Sequence, residues 1–201
     1  MNIIEIFTKS LFLIISFDSD LWEIIILSLY VSISALIIAS ILGLLIGYYI
    51  ALKKFIFKSS ILIVLNSLMG IPPVVVGLIV YFMFASGGPL GVLQLLYTPS
   101  AMIIAQVIII FPIVTSISHE IFDQNWREYK DQLRSINMPF FGVAFIITKH
   151  SYFLVITALL SAFGRAISEV GAVMIVGGNI DHFTRVMTTA ISLETRMGNL
   201  E

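Results

Sequence analysis

The 201-residue sequence predicts an all-α fold, a polytopic helical membrane protein, and three observations carry that prediction. Hydrophobic residues make up 59% of the chain and charged residues only 11%, with a mean hydropathy of +1.05. A soluble domain carries about 25% charged residues. No Asp, Glu, Lys, Arg or His occurs in residues 59–118 or in residues 24–52. A span needs about 20 mostly apolar residues, so the first run holds two spans and the second holds one. Finally, the cations are segregated: Lys53, Lys54, Lys58, Arg127, Lys130, Arg134 and Lys149 are seven of the eleven Lys and Arg residues. The absence of cysteine excludes disulfides, thiolate catalysis and Cys-ligated metals. No catalytic or metal-binding residues and no nucleic-acid partner are predicted, and the net charge of −1 by itself says nothing useful about partners.

Residues 1–17 are apolar, but Glu5 stands where a signal peptide has its basic region, and no small-residue cleavage site follows. With Lys9 in its middle the stretch is short for a span, so residues 1–20 read as an interfacial N-terminal helix. The spans read as about 21–52, 60–84, 97–118, and a fourth from Ser151 outward through 163–178. Both basic segments then lie in the cytoplasm, and Asp18 and Asp20 precede the first span outside. Residues 179–201, with Asp181, His182, Arg185, Glu194 and Arg196, form an extracytoplasmic or interfacial tail. In the first span Gly43 and Gly47 allow close helix approach, in a dimer or within the chain.

The second span contains Pro72 and Pro73, flanked by Gly70 and Gly77, with Asn66 a turn earlier. Each proline removes an amide donor and crowds the preceding turn, so the helix breaks near residues 71–73. Carbonyls freed at membrane depth are tolerated only against protein or a water-filled cavity, which makes Asn66, Pro72, Pro73 and Gly77 candidates to line a pathway. Pro112 reads as an ordinary kink, and Gln106 as an interhelical hydrogen-bonding group.

Arg165 and Glu169 stand in the apolar, glycine-rich run 163–179. A charge at membrane depth costs roughly 2.5–3.5 kcal/mol, so each must be paired, hydrated or facing a cavity. A spacing of four puts both on one face of a continuous helix. At an effective dielectric near 20 a pair about 4 Å apart gains up to roughly 4 kcal/mol, enough for one penalty and not clearly for two. A polar pathway and a purely structural pair both fit. An intramembrane hydrolase built on Ser161, Ser168, His119 and His150 is disfavoured, because no nucleophile-elbow pattern surrounds the serines. Residues 119–149 form the long polar loop, in which 125–134 read as a short helix ended by Met138-Pro139.

In that loop Asp131-Gln132-Leu133, Asn137 and Ile147 keep the spacing of the EAA loop of ABC-importer permeases, although Lys149 and His150 replace its closing Leu-Pro. More specific are Pro72-Pro73-Val74-Val75-Val76-Gly77, Gly88-Pro89-Leu90-Gly91, Tyr97-Thr98-Pro99-Ser100, and Phe163-Gly164-Arg165-Ala166-Ile167-Ser168-Glu169-Val170-Gly171-Ala172. With Gly177-Gly178-Asn179-Ile180 and Thr184-Arg185-Val186 they resemble permeases of the tungstate/molybdate group, most closely its tungstate-specific branch. The resemblance runs from about residue 21 to 196.

The resemblance implies a single transmembrane domain over 1–201 with the type I importer permease fold, in the cell (inner) membrane. It implies a non-enzymatic subunit that moves an oxyanion, tungstate before molybdate or sulfate, into the cytoplasm. Implied partners are a second copy of the permease, two cytoplasmic ATPases that bind the ATP and Mg, and an extracytoplasmic oxyanion-binding protein; no cofactor is implied on this chain. Asp131, Gln132, Leu133, Asn137 and Ile147 would couple to the ATPase. Asn66, Pro72, Pro73, Gly77, Arg165, Glu169 and Asn179 would form the pathway or gate. Family members continue with a further apolar span where this chain ends, so the expectation is a chain lacking the last span, a truncated permease or a non-transporting assembly partner.

Overall fold

The computed structural model describes residues 14–198 together with Thr8 and Phe12, apart from the side chains of Arg134 and Phe140. The interfacial helix expected before the first span therefore lies largely outside the described residues, and Ser19 and Asp20 already belong to the first long helix. That helix, α1, covers Ser19–Leu52; α2 covers Lys58–Met69, α3 Pro73–Phe84, α4 Pro99–Ser135, α5 Phe140–His150, α6 Tyr152–Ile167, α7 Gly171–Gly177 and α8 Met187–Met197, with a 3-10 turn at Gly91–Leu93. Among the described residues two helices, α1 and α4, are long and apolar enough to cross a membrane alone, and the pairs α2–α3 and α5–α6 would raise that to four if each is one broken span.

Three expectations are corrected. The helix read over 125–134 is the end of α4, a 37-residue helix that passes through Pro112 without a break. At about 1.5 Å per residue it is roughly 55 Å long, well beyond the roughly 30 Å hydrocarbon core, so its polar end projects past the bilayer. The fourth span is not one helix through residue 178: α6 ends at Ile167 and α7 starts at Gly171. Residues 140–149, read as part of the loop 119–149, belong with His150 to α5, set at 79° to α6. No proline lies at that bend; instead the Ser151 amide and hydroxyl both donate to Ile147 O, at 2.9 and 2.8 Å. Such back-bonding bends helices.

The chain divides into two compact units. The first comprises Met1–Ser34, Pro73–Gln106 and Ile167–Glu201. Here α3 packs directly on α7: a Cβ on Gly77 would sit 2.7 Å from Ala172 Cα, and one on Gly171 2.6 Å from Val74 Cγ2. The start of α8 is held to α1 by the Met187 amide, which donates to Ser28 Oγ at 2.8 Å.

The second unit comprises Ala35–Pro72 and Val107–Ala166. Its core gathers Tyr48, Ala51, Phe122, Leu133, Val143, Ile147, Val155 and Ala158 from α1, α4, α5 and α6. Gly43 and Gly47 serve this unit: their Cβ positions would lie 2.8 Å from Val114 Cγ1 and 2.8 Å from Thr115 O, so both glycines permit close approach of α1 and α4. Of the two readings of that pair, the contact within the chain is the one observed. Lys58 fastens the start of α2, donating to Ala51 O at 3.2 Å and to Asp123 Oδ1 at 3.0 Å. Arg127 takes the other Asp123 oxygen at 2.7 Å.

Candidate gate and coupling sites

In the first unit the gate candidates assemble around α3 and α7. Pro73 opens α3, where a missing amide donor costs nothing, because the first turn has no partner for it. Gly77 lies one turn on, buried against Ala172. Glu169 falls in the non-helical stretch between α6 and α7 and is 5% exposed. Its Oε1 accepts the Ala172 amide at 3.1 Å, so the carboxylate satisfies one of the donors that every helix start leaves open. Its backbone carbonyl accepts the Thr188 hydroxyl from α8 at 2.7 Å. Beside it Ser28, Ser32, Gln106 and Thr188 help to line a cavity of about 10 Å³. A space of that size with polar walls suits about one water molecule.

Beyond α7 the Gly-Gly-Asn-Ile run proves to be a turn. Gly178 takes φ +72°, against the Tyr97 ring, and Asn179 takes φ +50°. The Thr184 hydroxyl donates to Gly177 O at 2.5 Å and accepts the Ile180 amide at 2.9 Å, while the Tyr97 amide donates to Val176 O. Asn179 is half-buried, and its Oδ1 is a buried acceptor without a hydrogen-bond partner among the described residues. The turn continues into charged groups: Arg185 pairs with Asp181 at 2.8 Å, and His182 Nδ1 lies 2.9 Å from Glu23 Oε2. The hydrogen bond to Glu23 chiefly, with the charge of Asp181, raises the His182 pKa above the ordinary imidazole value.

The remaining gate candidates belong to the second unit. Asn66 is exposed on α2, and Pro72 is exposed in the break after it. Arg165 is half-buried in the last turn of α6. Its helix ends before Glu169, so the one-helix-face geometry expected for the two residues is not formed. Among the described residues Ser161 and His150 have other partners: Ser161 Oγ donates to Thr157 O, and His150 Nε2 lies 2.9 Å from Tyr129 OH.

The coupling candidates split by role. Leu133 and Ile147 are buried, 7% and 0% exposed, and join α4 to α5 from inside. Asp131, Gln132 and Asn137 are exposed, Asn137 with φ +46° in the turn that precedes α5. Sequence reasoning missed Phe141 and Phe145, which stand on one exposed face of α5, 83% and 68% exposed. Their signal was present as two large apolar residues four apart next to basic Lys149. Aromatic side chains so displayed are the type that anchors protein interfaces.

Long apolar helices and two bent helix pairs, together with a short helix that displays exposed aromatic side chains, fit a multi-pass transport permease. The family of binding-protein-dependent transport system inner membrane components matches residues 39–199, and the chain belongs to it. It is an inner-membrane component of a binding-protein-dependent transporter, a non-catalytic subunit whose family works with an ABC ATPase and a binding protein. The chain is 41% identical to a probable anion ABC transporter permease protein of Haloferax volcanii over 179 residues, 87% of this chain and 77% of that one. It is 39% identical to the tungstate uptake system permease protein TupB of Peptoclostridium acidaminophilum, covering 98% and 86% of the two chains. The corresponding protein of Campylobacter jejuni is 33% identical over 96% of this chain and 80% of its own.

Proposed function

We propose that this permease moves tungstate into the cytoplasm, as a homodimer driven by two ATPase subunits that carry the ATP and Mg, and fed by an extracytoplasmic oxyanion-binding protein. The observation that carries the substrate is the near full-length similarity to two permeases named for tungstate uptake. The chain itself binds no cofactor in this reading; its part is mechanical. Asp131, Gln132 and Asn137 meet the ATPase together with the exposed face of α5, while Leu133 and Ile147 transmit the displacement because they are packed in one core. Closure of the ATPases then becomes a rigid-body switch of the spans. Asn66, Pro72, Pro73, Gly77, Glu169 and Asn179 shape the gate, and Arg165 draws the anion inward without a tight site.

The Haloferax relative, named only for an anion, supports a second reading: a permease for molybdate, sulfate or another small oxyanion. Uptake of radiolabelled tungstate into vesicles holding the whole complex, with unlabelled molybdate and sulfate as competitors, separates the two. Tungstate competing at the lowest concentration is the expected result, and equal competition by sulfate would overturn it. In the same vesicles Arg165→Ala lowers uptake severalfold while the ATPase still co-purifies. Unchanged uptake would remove Arg165 from the pathway.

A further inference from the structure

Along the start of α1, within the first unit, an open groove of about 590 Å³ runs beside the turn that follows α7. Its composition changes from one end to the other. Ser19, Glu23 and His182 form a polar end, and Ile26, Tyr30 and Phe183 form apolar walls. These three large side chains are 60%, 57% and 50% exposed. From Ser19 to Tyr30 the helix rises about 16 Å at about 1.5 Å per residue. Beyond the polar end, the part from Glu23 to Tyr30 rises about 10 Å and so falls within the roughly 15 Å depth of one leaflet's hydrocarbon core. The positive-inside orientation makes it the outer leaflet, and Trp22 on the groove wall is the residue type that settles at that boundary.

The polar end also carries a definite charge. Asp18, Asp20 and Glu23 come from α1 and the residue before it; Asp181, His182 and Arg185 come from the turn. Asp181 and Arg185 neutralise one another at 2.8 Å, and His182 offsets at most one of the three remaining carboxylates. The excess is negative. It attracts an ammonium group and repels an anionic headgroup.

We infer that this groove is a binding site for one outer-leaflet phospholipid of the phosphatidylethanolamine class, with its ammonium at Glu23 and an acyl chain along Ile26 and Tyr30. The gradient from charged to apolar within one leaflet depth matches an amphipathic lipid and does not match a soluble ligand. The site ties lipid composition to the turn that follows α7, because His182 and Phe183 line the same groove as Glu23.

The test uses the whole permease–ATPase complex in nanodiscs of equimolar phosphatidylethanolamine and phosphatidylglycerol, released into native mass spectrometry. Wild type is expected to retain phosphatidylethanolamine about fivefold over phosphatidylglycerol, the size of effect an exposed charge pair supports. Glu23→Gln, a near-isosteric change, should bring that ratio close to one while lipid is still retained. Ile26→Trp fills the groove and should remove both adducts. Equal retention of the two lipids by wild type would overturn the proposal, as would an unchanged ratio in Glu23→Gln. Retention of no lipid until residues 1–17 are deleted would instead make the chain's own start the occupant, and would equally overturn it. The readout involves no tungstate, so it stands or falls apart from the proposed substrate.

Discussion

Two of the places where the chain leaves helical geometry, one between α2 and α3 and one between α6 and α7, have different causes. The first is written in backbone chemistry. Gly70, Pro72 and Pro73 stand together, and any sequence with two adjacent prolines at that point must interrupt its hydrogen-bond ladder. The second contains no proline. It is held by a side chain: Glu169 turns its carboxylate onto the Ala172 amide, and its carbonyl receives Thr188. A proline break needs no neighbours, whereas a carboxylate break depends on the elements packed around it. The first is therefore set by the chain itself, and the second by the groups that pack around Glu169.

The contact between α3 and α7 joins the products of both breaks within the first unit, so enlarging it should have the greatest effect. Gly77→Leu places a branched side chain where a Cβ alone would lie 2.7 Å from the Ala172 backbone. Backbone cannot move aside as a flexible side chain does, so the cost should reach about 3 kcal/mol, the upper part of the overpacking range. The expected result is a lowered thermal transition of the purified complex. Gly164→Ala provides the contrast: nothing lies within 4 Å of that Cβ position, so it should leave the transition unchanged or slightly raised.

Next in size is the carboxylate itself. Glu169→Ala leaves the buried Ala172 amide without its acceptor, a loss of about 1–3 kcal/mol. Glu169→Gln keeps an acceptor oxygen in place and should recover most of that loss. If Gln behaves as poorly as Ala, the negative charge and not the hydrogen bond is what the second break requires. The comparison between the breaks would then rest on electrostatics. By the same logic Pro73→Ala should cost less than about 1 kcal/mol: Pro73 occupies the first turn of α3, where proline is favourable but replaceable, and Pro72 and Gly70 remain to interrupt the helix.

The difference between the breaks also explains what could be read in advance. Prolines act locally, so the α2–α3 interruption and the membrane fold were legible residue by residue. Glu169 acts through the Ala172 amide and the Thr188 hydroxyl, and nothing in an apolar run with one acid separates a helix-starting carboxylate from a charge on a continuous helix. The run 119–149 misled for a related reason. A change from apolar to polar marks the end of a bilayer, not the end of a helix, and α4 continues through it. Leu133 and Ile147 were singled out only by the resemblance to the EAA loop, and their burial in a shared core depends on the packing of α4 against α5, which no local pattern announces.

The smallest effect tests how far the support of α7 extends into the turn behind it. His182 holds φ +54° and meets Glu23 at 2.9 Å, with both side chains largely exposed. Its folded pKa is raised, first by the hydrogen bond to Glu23 and then by the charge of Asp181. A raised folded pKa means that the protonated form is favoured on folding. The stabilisation is thus fully present below the ordinary imidazole pKa and lost as pH rises through the raised folded value. Wild type should exceed His182→Gln in thermal stability at about pH 5 and lose that advantage by about pH 9, values that bracket the ordinary imidazole pKa of about 6.5. A difference that stays constant with pH would mean that His182 serves the turn through its shape. An advantage that grew toward high pH would contradict the pairing with Glu23, because the protonated ring gains more from a carboxylate partner than the neutral ring does.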